Sequence, residues 1–189
     1  MPTEVEIKFR IDDLRSLQRK LRALGFRLQT PRTFESNTLY DFPGAVLRSR
    51  GELLRLRRYG DVWTLTHKGP RQASRHKSRV ETETAVQSGE KLAEILQSLG
   101  LNPGFRYEKY RSEWSDGSGH VVLDETPIGN FGEIEGQPRW IDRTAKALGI
   151  TPTDYITASY VELFFQWKRR YRSSSQAMTF HDCKLLTRH

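Results

Sequence analysis

The stretch Glu4-Val5-Glu6-Ile7-Lys8-Phe9 alternates charged and apolar residues with the period of a half-buried β-strand. On such a strand Glu4, Glu6 and Lys8 share one face, and Val5, Ile7 and Phe9 share the other. Carboxylates at i and i+2 repel each other unless a cation sits between them. A hard divalent ion meets that need, because Mg²⁺ takes oxygens from one or two carboxylates together with substrate phosphates. A single E-x-E-x-K describes a solvated strand face equally well. Here, however, charged residues recur at the same spacing: Arg55 and Arg57, Arg79 with Glu81 and Glu83, Lys109 and Arg111, Glu133 and Glu135.

The elements that must position these residues follow from periodicity and punctuation. Strands are expected at 4–9, 36–41, 52–58, 62–68, 78–83, 107–114, 120–124 and 133–135. Gly60-Asp61 and Asp116 to Gly119 supply hairpin turns, and Pro127 to Gly132 reads as another turn. Lys68 falls on the face of Thr64 and Thr66, which leaves His67 on the opposite one. Helices are expected after Asp12 or Asp13 up to Gly25, after Ser88 up to Gly100, and from Pro138 to Leu148. A further helix is expected from Pro152 to about Trp167, opened by Thr151-Pro152-Thr153-Asp154. From Lys168 onward the chain turns basic and serine-rich, so residues 168–189 are expected to form a weakly ordered tail beyond a domain of residues 1–167.

Strands joined mostly by hairpins, with helices between them, suit an antiparallel sheet closed on itself. The apolar strand faces then pack under helices and the charged faces line a lumen. Glu4, Glu6, Glu81, Glu83, Asp124, Glu133 and Glu135 would there oppose Lys8, Arg55, Arg57, Lys68, Arg79, Lys109 and Arg111, two sets that balance. A flat sheet wetted on one side predicts the same alternation. It does not predict that acids and bases segregate onto different strands. Segregation suits a ligand that is polyanionic and metal-bound, with bases on its phosphate oxygens and acids on the metal.

Composition narrows the classes. The chain has 189 residues and a net charge of +8, which suits a polyanionic partner such as a nucleotide, polyphosphate or nucleic acid. Its one cysteine, Cys183, excludes an internal disulfide and a cysteine-based zinc site. With no apolar run of membrane-spanning length and no signal-like start, a cytoplasmic protein with no membrane contact is expected. The five histidines show no H-E-x-x-H spacing, and there is no G-x-x-x-x-G-K-[ST] loop. Trp63, Trp114, Trp140 and Trp167 are expected in packing rather than as stacking platforms. A nucleic-acid partner is not expected, since carboxylates beside the bases repel phosphate unless a metal intervenes.

The ordered set Glu4-x-Glu6-x-Lys8, Leu54-Arg55-Leu56-Arg57, Thr66-His67-Lys68-Gly69-Pro70, Arg79-Val80-Glu81, Lys109-Tyr110-Arg111, Leu123-Asp124 and Glu133-Ile134-Glu135 resembles the CYTH superfamily. This group of triphosphate tunnel metalloenzymes contains class IV adenylyl cyclases, thiamine triphosphatases and inorganic triphosphatases. The resemblance covers about residues 1–167 and implies an α+β fold, an eight-stranded antiparallel β-barrel with helices outside. It implies a triphosphate held with Mg²⁺ or Mn²⁺, as tripolyphosphate, thiamine triphosphate or ATP, by a monomer or homodimer. Glu4, Glu6, Glu81, Asp124, Glu133 and Glu135 then resemble metal ligands. Lys8, Arg55, Arg57, Lys68, Arg79, Lys109 and Arg111 resemble phosphate-holding bases, with Glu6, Lys8 and Arg57 the expected catalytic set. Hydrolytic members place a lysine in the last helical segment that plugs the tunnel; Ala158-Ser159-Tyr160 is more similar to cyclase-like bacterial members. Hydrolysis of a triphosphate is the expected activity. Cyclisation of ATP and non-catalytic polyphosphate binding are the alternatives.

Overall fold

The computed structural model describes residues 3–70 and 77–183; the side chains of residues 3–4 and 77–79 fall outside that description. Its strands are β1 (Thr3–Ile11), β2 (Arg27–Asp41), β3 (Leu53–Tyr59), β4 (Val62–Lys68), β5 (Lys77–Val86), β6 (Asn102–Ser115), β7 (His120–Thr126) and β8 (Gly129–Glu135). They close into an antiparallel barrel in the order β1-β5-β4-β3-β2-β6-β7-β8. The helices α1 (Leu14–Ala23), α2 (Val46–Ser49), α3 (Gly89–Ser98), α4 (Pro138–Leu148) and α5 (Tyr160–Tyr171) lie outside the ring. None of the described helices is long and apolar enough to cross a membrane.

Local chemistry sets most of these boundaries. Asp13 caps α1 by accepting from the Ser16 amide at 2.9 Å, and Ser88 caps α3 through the Lys91 amide at 3.2 Å. Gly149 ends α4 at φ 82°, a left-handed conformation in which a side chain is strained. Apolar strand faces meet the helices as alternation requires. Ile7, Phe9, Val121, Leu123 and Ile134 join Leu17 and Leu21 of α1 and Trp140, Ile141 and Leu148 of α4 in one core. Phe9 lies across Gly132 so closely that a Cβ there would stand 2.2 Å from the ring, which requires glycine at that position. A second core packs Leu96 of α3 with Tyr40, Leu56 and Leu101.

Four expectations change. β2 and β6 are far longer than the apolar alternation indicated, because register shifts at Leu28/Thr30, Thr30/Thr33 and Thr38/Tyr40 carry the pairing past Pro31 and Pro103. Bulges let a strand continue through residues that break a regular ladder. Second, residues 129–132 belong to β8 rather than to a turn. Third, the helix expected from Pro152 is two elements. Its capping box serves only a short 3₁₀ turn at Pro152–Asp154, and the Ile156 amide then donates to the Lys8 carbonyl at 2.7 Å. That bond pins the chain to the barrel before Ser159 and Glu162 form a new capping box and α5 begins.

Fourth, the described part of the expected tail, residues 168–183, packs on the barrel; residues 184–189 lie outside the described residues. Helix α5 continues to Tyr171, and the segment after it returns to the barrel, where Met178 bridges Tyr107 in parallel. Met178 is fully buried and Cys183 is 5% exposed. The reason is an open edge. β7 pairs with β6 only from Tyr110 onward, so Arg106 and Glu108 need other partners, and Met178 exchanges backbone hydrogen bonds with both. Met178→Ala should therefore cost about 2–5 kcal/mol, read as a lowered urea midpoint; a loss of a few tenths would mean the segment is only loosely attached.

Candidate active site

The lumen is built by residues of one parity on each strand. Glu6 and Lys8 enter from β1, Arg55 and Arg57 from β3, Lys68 from β4, Glu81 and Glu83 from β5, Lys109 and Arg111 from β6, and Glu133 and Glu135 from β8. They line a cavity of about 640 Å³. His67 faces the other way, exposed and 3.4 Å from Glu52. Trp114 and Trp140 are buried in the core, and Trp167 stacks on Phe164.

The β1–β8 seam sets Glu6 directly opposite Glu135 and Lys8 opposite Glu133. Like charges facing each other across a strand pair are destabilising. Glu6, Glu133 and Glu135 each offer an oxygen lying within 4.8 Å of the others, and all three are buried or half-buried. Three hard oxygen donors at that separation fit a divalent ion. Glu81 and Asp124, expected as ligands, are not part of this cluster. Glu81 pairs with Lys68 at 2.8 Å and with Arg55 at 3.9 Å. The side chains of Glu4 and Arg79 lie outside the described ones, although their backbones pair across the β1–β5 seam.

Asp124 is a hub. Fully buried, it accepts from Lys109 Nζ at 2.8 Å, from Arg111 through two nitrogens at 2.7 Å each, and from the Tyr160 hydroxyl at 2.7 Å. Arg111 also reaches Glu133 at 2.6 Å, and Lys8 reaches Glu133 at 2.9 Å. Burial would lower the Lys8 pKa, but Glu133, Glu6 and Asp124 outweigh it and hold the ammonium charged far above its ordinary range. Arg57 pairs with Glu83 at 3.0 Å, where Glu83 is a third exposed.

Two residues were missed from the sequence. Glu35 on β2 is fully buried, 3.4 Å from Lys109 and 3.7 Å from Arg111, and Asn37 donates to it at 2.9 Å. The signal was there, since Glu35 and Asn37 extend the period-two face of the strand. It was hidden by a strand start placed at Ser36. The other is Tyr160, seen only as part of a departure from the hydrolytic pattern. It begins α5 and lines the lumen, stacked on Tyr107, edge-on to Phe131, with Lys8 Nζ 4.2 Å from its ring centroid. Burial, then Asp124 and Glu133, push its phenol well above the ordinary tyrosine range, so it stays a donor.

The barrel is closed and antiparallel, with carboxylates facing each other across the β1–β8 seam and bases presented from β3, β4 and β6. The CYTH domain family matches residues 2–160, and the chain belongs to that family, which includes triphosphatases and adenylyl cyclase-like enzymes. It is 30% identical over 171 residues to the "Putative adenylate cyclase" of Methanocaldococcus jannaschii, covering 85% of this chain and 97% of that one. Among solved structures, a "putative adenylate cyclase" of Vibrio parahaemolyticus superposes with a TM-score of 0.77 at 22% identity, covering 86% of this chain and 97% of that one. A "putative adenylyl cyclase" of Hippeastrum, described as having a dominant triphosphatase activity, superposes at 0.61 with 22% identity over 86% and 95% of the chains.

Two outcomes follow. Tyr160→Phe keeps the ring packing and removes one donor from buried Asp124, so it should cost about 1–3 kcal/mol of stability, read by chemical denaturation. Burial opposes ionisation of Glu35, but Lys109, Arg111, Arg55 and Arg57 prevail and lower its pKa from 4.5 to about 2. Its charge thus stabilises the fold fully above the unfolded value of 4.5, and that contribution is lost as pH falls towards 2. In denaturation series across this window, wild type should lose a component of stability that Glu35→Gln lacks; parallel curves would contradict it.

Proposed function

We propose that this protein is a divalent-metal-dependent enzyme that cleaves triphosphate-bearing substrates inside its barrel, by hydrolysis. The observation that carries the reading is the convergence of Glu6, Glu133 and Glu135 on a lumen whose other strands present Arg55, Arg57, Lys68, Lys109 and Arg111. Glu6, Glu133 and Glu135 would hold Mg²⁺ or Mn²⁺, with Glu4 completing the acidic face of β1. A bound ion supplies neutralising charge to phosphate oxygens. Arg55, Arg57, Lys68 and Arg79 hold the phosphate chain, and Lys109 and Arg111 approach it from β6. Asp124 and Glu81 belong to the bases in this reading: they orient Lys109, Arg111 and Lys68 before substrate arrives. Lys8, tied to Glu133, sets a fixed positive charge beside the acidic cluster. Catalysis by such a site is positioning and electrostatics, since phosphoryl transfer asks little covalent chemistry of the protein.

Cyclisation is the second reading, favoured by Tyr160 in the lumen and by the cyclase name of the Methanocaldococcus relative. The two reactions differ in the attacking oxygen and the bond broken. Water at the terminal phosphorus releases phosphate and leaves a diphosphate, and water at the α-phosphorus releases pyrophosphate and leaves a monophosphate; a ribose 3′-hydroxyl at the α-phosphorus releases pyrophosphate and leaves a cyclic nucleotide. The hydrolytic choice is supported by the Hippeastrum protein, which bears a cyclase name and a dominant triphosphatase activity.

Tripolyphosphate, thiamine triphosphate and α-labelled ATP, each with Mg²⁺ or Mn²⁺, test both readings in one assay. Labelled ADP or AMP and released phosphate are expected; labelled cyclic AMP as the main product would replace hydrolysis with cyclisation, and no turnover would leave a binding module. Glu6→Gln keeps the side-chain shape and removes one carboxylate from the cluster, so turnover should fall at least about 100-fold with an unchanged circular dichroism spectrum. Near-normal rates at low metal would remove the opening motif from the site.

A further inference from the structure

Two buried carboxylates stand among the bases, and they are held differently. Asp124 is saturated with short hydrogen bonds from Lys109, Arg111 and Tyr160. Glu35 is not. Its hydrogen bond comes from Asn37, which fixes Oε1 at 2.9 Å. Its ion pairs are long, 3.4 Å to Lys109 and 3.7 Å to Arg111, and Oε2 has no hydrogen-bond partner although it is fully buried. Arg55 Nε, on the neighbouring strand β3, is likewise buried without a hydrogen-bond partner. A carboxylate set among cations that aim their hydrogens elsewhere contributes charge rather than hydrogen-bond geometry.

We infer that Glu35 is a built-in rival to the substrate: a fixed negative charge that holds the phosphate-binding bases together in the empty tunnel and limits how tightly a polyphosphate binds. This rests on the reading that the tunnel takes a triphosphate. Glu35 lies in the barrel wall with no exposure and is anchored by Asn37, so it cannot swing out when an anion enters. Lys109, Arg111, Arg55 and Arg57, all of which feel its charge, must then serve Glu35 and the anion together. The attraction of these bases for phosphate is lowered by that share. Moderate ground-state binding is what a hydrolase of polyanions needs, because a bare cluster of cations would hold product as firmly as substrate. Glu35 is therefore a positioning and affinity-setting residue, not a catalytic one.

The test is the affinity of wild type, Glu35→Gln and Glu35→Asp for inorganic tripolyphosphate by calorimetry, with EDTA and low salt. Glu35→Gln keeps the volume and the Asn37 contact but removes the charge, so its dissociation constant should fall by at least about tenfold. Glu35→Asp, which keeps the charge, should bind within about twofold of wild type. A residue with a merely structural role would leave the affinity unchanged or weaken it, and either result for Glu35→Gln overturns the inference. If Glu35→Gln does not fold in buffer, tripolyphosphate should restore its thermal transition by mass action; no restoration also overturns it. Wild type that fails to bind tripolyphosphate both in EDTA and with Mg²⁺ would instead sink the tunnel reading itself, a result separate from equal affinity in both proteins.

Discussion

Everything in this barrel leans on Asp124. A fully buried carboxylate is tolerable only when its charge and lone pairs are met, and here a lysine, both arms of an arginine and a phenol meet them. Those donors come from β6 and from the first residue of α5, so one side chain on β7 ties two strands to that helix. Arg111 then passes the constraint on to Glu133, and Glu133 to Lys8. The acidic seam and the basic wall are thereby two ends of one chain of ion pairs, held in register by short bonds rather than by the flexible stems of lysine and arginine.

The charge pattern inside differs from that outside. Among the described side chains lining the lumen, Glu6, Glu81, Glu83, Glu113, Glu133 and Glu135 balance Lys8, Arg55, Arg57, Lys68, Lys109 and Arg111, and the fully buried Glu35 and Asp124 add two acids beside them. A net charge of +8 must therefore sit largely on the exterior, where α1 alone carries Arg15, Arg19, Lys20 and Arg22 without an acid. The positive exterior draws anions towards the molecule, while Glu35 and Asp124 give the described interior an acidic surplus. Overall charge pointed to a polyanion for a reason only partly located in the site.

Much of this was legible in advance because strand alternation and inward charge are the same signal. Where apolar and charged residues alternate, strictly in β1 and over Leu54–Arg57 in β3, the face of each side chain was readable. β2 was not, because its first half is mostly polar and interrupted by Pro31, and pairing there is kept by bulges that no local pattern announces. Glu35 was lost with it. The division of labour among the acids was also invisible: Glu133 and Asp124 look alike in sequence, and only cross-strand register separates the one facing Lys8 from the one facing Arg111. The tail misled for a different reason. Its described arginines are exposed as their type suggests, but a bare strand edge on β6 gave Met178 a place to pack, with Thr179 and Cys183 buried beside it.

The β1–β8 seam has a consequence for how the molecule comes into being. Glu6 pairs with Glu135, so the acidic cluster joins the beginning of the barrel to its last strand, and no growing chain contains the cluster until β8 has been made. Until then β1 has only the short ladder to β5, from Thr3↔Val80 to Glu6↔Lys77, to hold it. Pairings of such long sequence separation are reached slowly and pay their loop entropy first. Closing the ring also sets Glu6 against Glu135, like charges that oppose this pairing. A ribosome-bound fragment of this chain therefore carries the acidic residues of β1 with nowhere to seat an ion, and the tunnel acquires its chemistry and its shape in the same event.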